Sequence, residues 1–112
     1  MSTTNLVNCP TFEATLFVSG PYDKIKEVCQ EFCLKGFCVS IKKVEYTYTM
    51  GCEEGAEVTL INYPRFPSAE VDITEKALQL GEKITISCHQ GSFTLVCPSR
   101  TYFWSRREGD KV

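Results

Sequence analysis

Hydrophobic and polar residues alternate near the start of the chain and then change their period. In residues 12–19 apolar side chains occupy every second position and so share one face, which predicts a strand with one buried side. In residues 21–35 they recur at intervals of three and four, the spacing of an amphipathic helix. Gly36 is the residue type expected just after a helix end. A strand followed by a helix therefore opens the predicted domain.

The next segment keeps the alternation of a strand but changes its phase. In residues 37–50 the first apolar residues, Phe37, Val39 and Ile41, share one face. After Lys43 the apolar residues occupy the other face; they are Val44, Tyr46 and Tyr48. Because a shift of one residue moves a side chain to the opposite face of a sheet, the pattern predicts a long second strand with a bulge or bend.

Turn-forming residues divide the chain that follows. Residues 51–55 (GCEEG) predict a hairpin turn, and residues 56–63 predict a third strand. Two prolines end that strand, because proline cannot donate to a ladder. Ser68 is expected to cap a second helix with acidic residues in its first turn, and Gly81 weakens that helix.

The order of the elements predicts the fold class. Residues 92–97 predict a fourth strand and residues 101–105 a short fifth one. The order βαββαβ with an extra C-terminal strand is typical of an α+β, ferredoxin-like plait, an antiparallel sheet with two helices on one face. We expect a loose N-terminal segment over residues 1–10, one domain over residues 11–106 and a charged tail over residues 107–112.

Composition and charge narrow the classes of partner. The net charge of −2 argues against a protein that grips phosphate backbones, so nucleic acid is not an expected partner. The apolar runs are too short to cross a membrane. Residues 1–10 lack the basic start and apolar block of a secretory signal. Together with an odd number of cysteines, seven, this predicts a reduced, cytoplasmic protein.

Cysteine, histidine and carboxylate side chains offer several catalytic or metal-binding hypotheses. The single histidine, His89, could meet Cys52 or Cys97 as a nucleophile pair, or it could simply end the second helix. A second hypothesis is a zinc site, whose ligands would be Cys29, Cys33 and Cys38 with Cys88 or His89. The favoured alternative is that these cysteines pack in the core. Glu53, Glu54 and Glu57 lie in or beside the predicted hairpin turn and are interpreted as solvated. We therefore predict no catalytic residue, no metal and no cofactor.

The front of the chain resembles the RNA-recognition motif. Residues 16–20 (LFVSG) resemble that family's first strand, and further residues fall at its usual spacing: Phe32, Gly36, Val39 and Ile41. The resemblance implies that Phe17 lies on the open sheet face, where the family stacks a base. Residues 54–59 lack the aromatic and basic side chains of the family's third strand. Single-stranded RNA is therefore the last of the alternatives considered.

A second resemblance lies in the C-terminal half. Residues 60–67 (LINYPRFP) and residues 105–107 (SRR) resemble short uncharacterised proteins of tailed bacteriophages. This resemblance implies a protein that acts in the cytoplasm of an infected bacterium on a host or defence factor.

Aromatic and arginine side chains supply the candidate binding residues. The aromatic ones exceed what one helix-facing layer absorbs; they are Phe17, Tyr46, Tyr48, Tyr63, Phe66, Tyr102, Phe103 and Trp104. An exposed aromatic sheet face would mark an interface, unless the last strand folds back and covers it. The arginines Arg65, Arg100 and Arg106 could hold a phosphate beside a stacked ring, or be solvated charges.

These residues lead to three functional expectations. The first is a small non-enzymatic interaction module that associates with itself or with a host protein. The second is a protein that binds and sequesters a nucleotide or cyclic nucleotide. The third, a cysteine- or metal-dependent enzyme, has the least support in the sequence.

Overall fold

Residues 5–107 are described by a computed structural model of the chain. Five strands and two helices make up the domain. In chain order they are β1 (Glu13–Ser19), α1 (Tyr22–Phe32), β2 (Ser40–Tyr48), β3 (Gly51–Ile61), α2 (Glu70–Ser87), β4 (Ser92–Val96) and β5 (Thr101–Ser105). The strands form one antiparallel sheet in the order β2-β3-β1-β4-β5. The predicted ferredoxin-like plait with an added strand is thereby confirmed.

The hydrophobic core lies between the two helices and one face of the sheet. Alternate residues of β1 (Ala14, Leu16 and Val18) point into it, as the strand-like period of the sequence predicts. Their neighbours across the sheet and from the helices complete the core; among them are Val58, Leu60, Leu95, Ile25, Cys29, Ile73, Leu80 and Ile84. The opposite face carries no helix among the described residues, and we call it the open face.

The first helix is shorter than the sequence predicts. It ends at Phe32, and a single 3₁₀ turn, Cys33–Lys35, follows it. Gly36 then adopts a left-handed conformation with φ of 95°, which a residue with a side chain rarely adopts. The glycine therefore ends the helical segment where expected, but the last turn is tightened.

The predicted bulge in β2 is absent, because β2 and β3 pair without interruption from Ser40 opposite Thr59 to Tyr48 opposite Gly51. The change of phase has another cause. Ile41 faces the core, whereas Val44, Tyr46 and Tyr48 belong to the open face. At its far end the β2–β3 hairpin continues beyond the last residue of β1, Ser19 opposite Gly55, so its apolar side chains no longer need to face the helices.

The predicted turn over residues 51–55 is also wrong. The chain turns at Thr49 and Met50, a two-residue connection, and Met50 takes the positive φ of 67°. Gly51 is already the first residue of β3. Glu53 and Glu54, which fall in the predicted turn, are therefore strand residues with defined faces.

Ser68 does not cap the second helix. The helix begins after Ala69, which has no side-chain capping bond, and the acidic first turn is as predicted. The backbone N–H of Ser68 instead donates to Asn62 Oδ1 at 2.9 Å, and Asn62 Nδ2 donates to the carbonyl of Pro10 at 2.8 Å. Asn62 thus joins the segment before β1 to the loop before α2.

The last strand extends the sheet, and within residues 5–107 no helix or strand covers the open face. β5 pairs with β4 as an edge strand, so the alternative in which it folds over the face is wrong. Trp104 stacks on Phe93 with ring centroids 5.5 Å apart, at the margin of the core. Of the predicted tail over residues 107–112, only Arg107 is among the described residues.

No helix between residues 5 and 107 is long and apolar enough to cross a membrane. Residues 1–4 of the predicted loose segment lie outside the described part of the chain.

Gly81 provides a test of the packing of α2 on the sheet. A Cβ atom at this position would lie 2.5 Å from Phe93 Cε2, too close for van der Waals contact. We predict that Gly81→Ala lowers the free energy of unfolding by about 1 kcal/mol or more, because overpacking outweighs the gain in helix propensity. Urea unfolding, with Glu82→Ala on the exposed side of the same helix as the control, measures the change. An increase in stability would show that Phe93 does not hold its place against Gly81.

Candidate functional site

The most polar part of the open face lies where β1, β2 and β3 run side by side. In the register of the sheet Glu57 stands between Phe17 on β1 and Lys42 on β2. One row away, the hydroxyls of Thr15 and Thr59 are 3.1 Å apart. Carboxylate, aromatic and hydroxyl groups therefore share one solvent-facing surface, half-buried at Phe17 and Glu57.

Tyr46 is held against the backbone of the neighbouring strand. Its hydroxyl donates a hydrogen bond of 2.7 Å to the carbonyl of Ala56. The ring lies over Gly55, where an added Cβ would be 2.5 Å from Tyr46 Cε2 and 2.3 Å from the carbonyl oxygen of Val18. Only a glycine leaves room for this arrangement, and it sets the phenol on the open face.

Burial, followed by the negative charge of Glu57, raises the pKa of Tyr46 to about 12. Glu53 acts in the same direction on this pKa, although more weakly. The phenol is therefore protonated at neutral pH and serves as a neutral, polarised group rather than as a base.

Glu53 lies directly opposite Tyr46 in the register of the hairpin. The hydroxyl of Ser19 donates to Glu53 Oε1 at 2.8 Å, which holds the carboxylate toward the end of β1. We call this group of side chains the Tyr46 cluster; its members are Phe17, Ser19, Tyr46, Glu53 and Glu57.

The chemistry of the Tyr46 cluster favours a cationic ligand. Two carboxylates give it negative potential, and the electron-rich face of an aromatic ring attracts a positive charge within about 6 Å of its centroid. Phe17 adds an apolar ring on which a flat heterocycle could stack. An anionic ligand such as a phosphate would be repelled by Glu53 and Glu57.

The three candidate arginines are not brought together. Arg100 precedes β5 and Arg106 follows it, so about 20 Å of extended chain separates them. Arg65 lies in the loop after β3, and β1 and β4 lie between β3 and β5. All three are exposed, and they do not form one phosphate site.

The remaining candidate aromatics are distributed over several places. Tyr63 lies 5.2 Å from Phe66, measured between ring centroids, and its hydroxyl donates to Cys38 Sγ at 3.3 Å. Tyr102 and Trp104 pair with core residues of β4 and so face the helix side. Tyr48 is exposed beside the hairpin turn. Of the ten candidate site residues, the structure places only Phe17 and Tyr46 in the cluster.

The structure gives no support to a cysteine nucleophile or to a zinc site among the described residues. Burial raises the pKa of the Cys88 and Cys97 thiols, which makes both weaker nucleophiles at neutral pH. Cys29 is buried in the core, where desolvation raises its pKa to about 12. Among residues 5–107 no three Cys, His, Asp or Glu side chains are grouped so that they could hold a metal ion.

A groove of about 570 Å³ lies on the other side of the domain, between α1 and α2. It has an apolar floor that includes Phe32 and a rim with Lys35, Lys76 and Lys83. These lysines repel a cation, and the groove is remote from the open face. The Tyr46 cluster therefore remains the better candidate for the ligand described above.

Comparison with known proteins gives two relatives in structure. No family model and no curated protein matches the chain. The structure resembles a phage SAM lyase in complex with S-methyl-5'-thioadenosine, with a TM-score of 0.64 and 16% identity, over 93% of this chain and 96% of the other. It also resembles a phage SAM lyase in the apo state, with a TM-score of 0.66 and 17% identity, over 86% and 90% of the two chains.

These relatives overturn the expectation of a non-enzymatic interaction module. The solved structures that share this fold over nearly the whole chain are those of a lyase, an enzyme that breaks a bond in a small molecule. The sequence carried no complete catalytic motif, and this absence misled the functional interpretation. The expectation of self-association stays a prediction.

The carboxylates of the Tyr46 cluster are candidate site residues that the sequence did not single out: Glu53 falls in the wrongly predicted turn, and Glu57 was interpreted as solvated beside it. Once Gly51 is recognised as a strand residue, Glu53 and Glu57 fall on the same face as Tyr46 and Phe17. The alternation of residues 51–61 could have indicated this, but the two glycines in the segment favoured a turn. Ser19 had no signal in the sequence beyond its place at the end of a strand.

Gly55 offers a test of how Tyr46 is positioned. We predict that Gly55→Ala lowers the free energy of unfolding by about 1–3 kcal/mol, because the new methyl group meets the Val18 carbonyl, which cannot move aside. Urea unfolding measures the loss. The matched control is Gly51→Ala, which meets only the exposed ring of Tyr48 and should cost much less. Equal losses in the two variants would contradict the account.

The raised pKa of Tyr46 predicts a dependence of stability on alkaline pH. A free phenol titrates near 10 and Tyr46 in the fold near 12, so the unfolded chain loses this proton first. Stability should therefore fall as the pH rises from about 10 to about 12. The fall should be smaller in Tyr46→Phe, where Tyr63 still contributes. Urea unfolding across this range measures it, and identical profiles for the two proteins would contradict the assignment.

Proposed function

We propose that this protein binds SAM (S-adenosylmethionine) on the open face and cleaves it to S-methyl-5'-thioadenosine. The observation that carries the proposal is the Tyr46 cluster, a protonated phenol flanked by two carboxylates on an uncovered sheet face. The likeness in fold to a SAM lyase supports it, since one of those structures holds S-methyl-5'-thioadenosine.

The chemistry of this conversion matches the charge of the site. SAM carries a positive sulfonium and a positive α-ammonium group, with one carboxylate. Forming S-methyl-5'-thioadenosine breaks the bond between the sulfur and the γ-carbon of the methionine part. The electron pair of that bond goes to sulfur, which becomes a neutral thioether. In a lyase reaction water takes no part. The carboxylate oxygen of the methionine part therefore forms a bond to the γ-carbon as the carbon–sulfur bond breaks, and the second product is homoserine lactone.

Three members of the cluster have a role in this proposal. The ring of Tyr46 faces the sulfonium, and Glu57 beside it adds negative potential. Phe17, opposite Glu57, stacks with the adenine ring. The hydrogen bond to Ala56 holds the phenol in one orientation, so the substrate meets a preorganised surface.

The proposal is also compatible with two features that argue against a nucleotide site, the separated arginines and the negative net charge. SAM has no phosphate, so scattered arginines and an acidic chain do not weigh against it. We further propose a phage origin for the chain, in line with the resemblance of residues 60–67 and 105–107 to phage proteins and with the source of both structural relatives.

The direct test incubates the purified protein with SAM and measures S-methyl-5'-thioadenosine by liquid chromatography. We predict release of this product, and a rate at least about tenfold lower in both variants. Tyr46→Phe loses the hydrogen bond to Ala56 that orients the ring, and Glu57→Gln loses a negative charge beside the sulfonium.

The controls are the same types of substitution made outside the Tyr46 cluster. Tyr102 and Glu45 lie on the helix side of the sheet, so Tyr102→Phe and Glu45→Gln should retain the wild-type rate. A wild-type protein that releases no S-methyl-5'-thioadenosine would refute the proposal. Normal rates in Tyr46→Phe and Glu57→Gln would refute the assignment of the site.

A further inference from the structure

The hydroxyl of Ser19 fixes a carboxylate that the proposed cleavage does not use. Glu53 is four residues before Glu57 on β3, about 13 Å along the strand, so the two carboxylates cannot act on one atom. They lie on either side of Gly55, where the Tyr46 ring rests. The cluster is thus an aromatic ring with a separate negative charge at each end.

The hydrogen bond to Ser19 defines where the charge of Glu53 lies. Ser19 pairs with Gly55 across the sheet. Glu53 lies two residues closer to the hairpin turn than Gly55, beyond the last residue of β1. The Ser19 hydroxyl therefore draws the carboxylate toward the end of β1, to the level of Gly55, over which the Tyr46 ring lies. Oε1 accepts that bond, and Oε2 can accept another from a ligand.

Among residues 5–107 no lysine or arginine stands opposite Glu53 in the register of the sheet. Lys42 is paired with Glu57, four register positions along β2 from Tyr46, the partner of Glu53. Between residues 5 and 107 the one ion pair within 4 Å, Lys24 with Glu27, is on α1. Glu53 is thus an exposed carboxylate held in place by a hydroxyl group and not by a positive charge.

We infer that Glu53, positioned by Ser19, binds the α-ammonium group of the substrate and so determines that the site takes the intact amino-acid sulfonium. This inference rests on the proposed function. With the sulfonium over the Tyr46 ring, a ligand that carries an ammonium group a few bonds away can reach Glu53, which stands directly opposite Tyr46. S-methyl-5'-thioadenosine has no ammonium group and cannot make this contact.

The test compares two ligands on the same variants. For Glu53→Gln we predict that the KM for SAM rises by about tenfold or more while kcat changes less than about twofold, because a charged hydrogen bond made equally in ground and transition states is lost. The Kd for S-methyl-5'-thioadenosine, measured by calorimetry, should not change. Glu13→Gln, an exposed carboxylate on the far end of the same face, is the control and should leave all three values unchanged.

Ser19 is tested as a positioning residue. Ser19→Ala should raise the KM for SAM by a smaller factor, roughly threefold to tenfold, because Glu53 keeps its charge but loses its orientation. Ser19→Thr retains the hydroxyl and should restore the KM, which a purely structural role for Ser19 would not predict.

The outcomes separate this inference from the proposed function. A loss of affinity for SAM alone supports the role of Glu53. An unchanged KM in Glu53→Gln, or an equal loss of affinity for both ligands, overturns that role while leaving the cleavage proposal intact. A wild-type protein that binds neither ligand refutes the proposed function and the inference with it.

Discussion

The contact between the Tyr46 ring and the backbone at Gly55 is the constraint on which the candidate site depends. The ring occupies the space of a missing side chain, and its hydroxyl satisfies the Ala56 carbonyl on the next residue. Because the contact lies near the end of β1, it also fixes how the projecting β2–β3 hairpin continues the sheet. A side chain that would otherwise move freely at the surface is thereby held in one orientation beside two carboxylates.

The two faces of the sheet differ in what they contact: one packs in the core and the other faces solvent. One face carries the alternating aliphatic residues of β1, β3 and β4 and packs against both helices, which provides the stability of the domain. The other face is free to carry charge, because nothing among the described residues has to pack on it. The chain can therefore keep carboxylates in contact with solvent at little cost, where a cationic ligand could reach them.

The sequence predicts the core and the topology well because both follow from periodicity. The alternation in β1 and the helical spacing in α1 are strong local signals, and the corresponding elements are found with small shifts at their ends. The hairpin was mispredicted because Gly51 and Gly55 are typical of turns, whereas Gly55 is required by the Tyr46 ring packed across it. A tertiary contact of this kind has no signature in a single sequence.

The candidate site could be predicted only in part, for the same reason. Aromatic residues on an open face were expected, and Phe17 and Tyr46 do lie there. Glu53 and Glu57 lie beside them because of the strand register, which the sequence did not indicate because the turn was predicted at the wrong residues. The absence of a catalytic motif favoured a binding module. A site of one phenol and two carboxylates, brought together from two strands, leaves no compact motif to recognise.

The most direct test of this account is a nuclear magnetic resonance titration of the ¹⁵N-labelled protein with S-methyl-5'-thioadenosine. The account predicts that the amide shifts that change most lie around Phe17 on β1, Tyr46 on β2 and Gly55 on β3. Changes confined to the groove between α1 and α2, around Phe32 and Lys83, would contradict it. So would a spectrum that the ligand leaves unchanged.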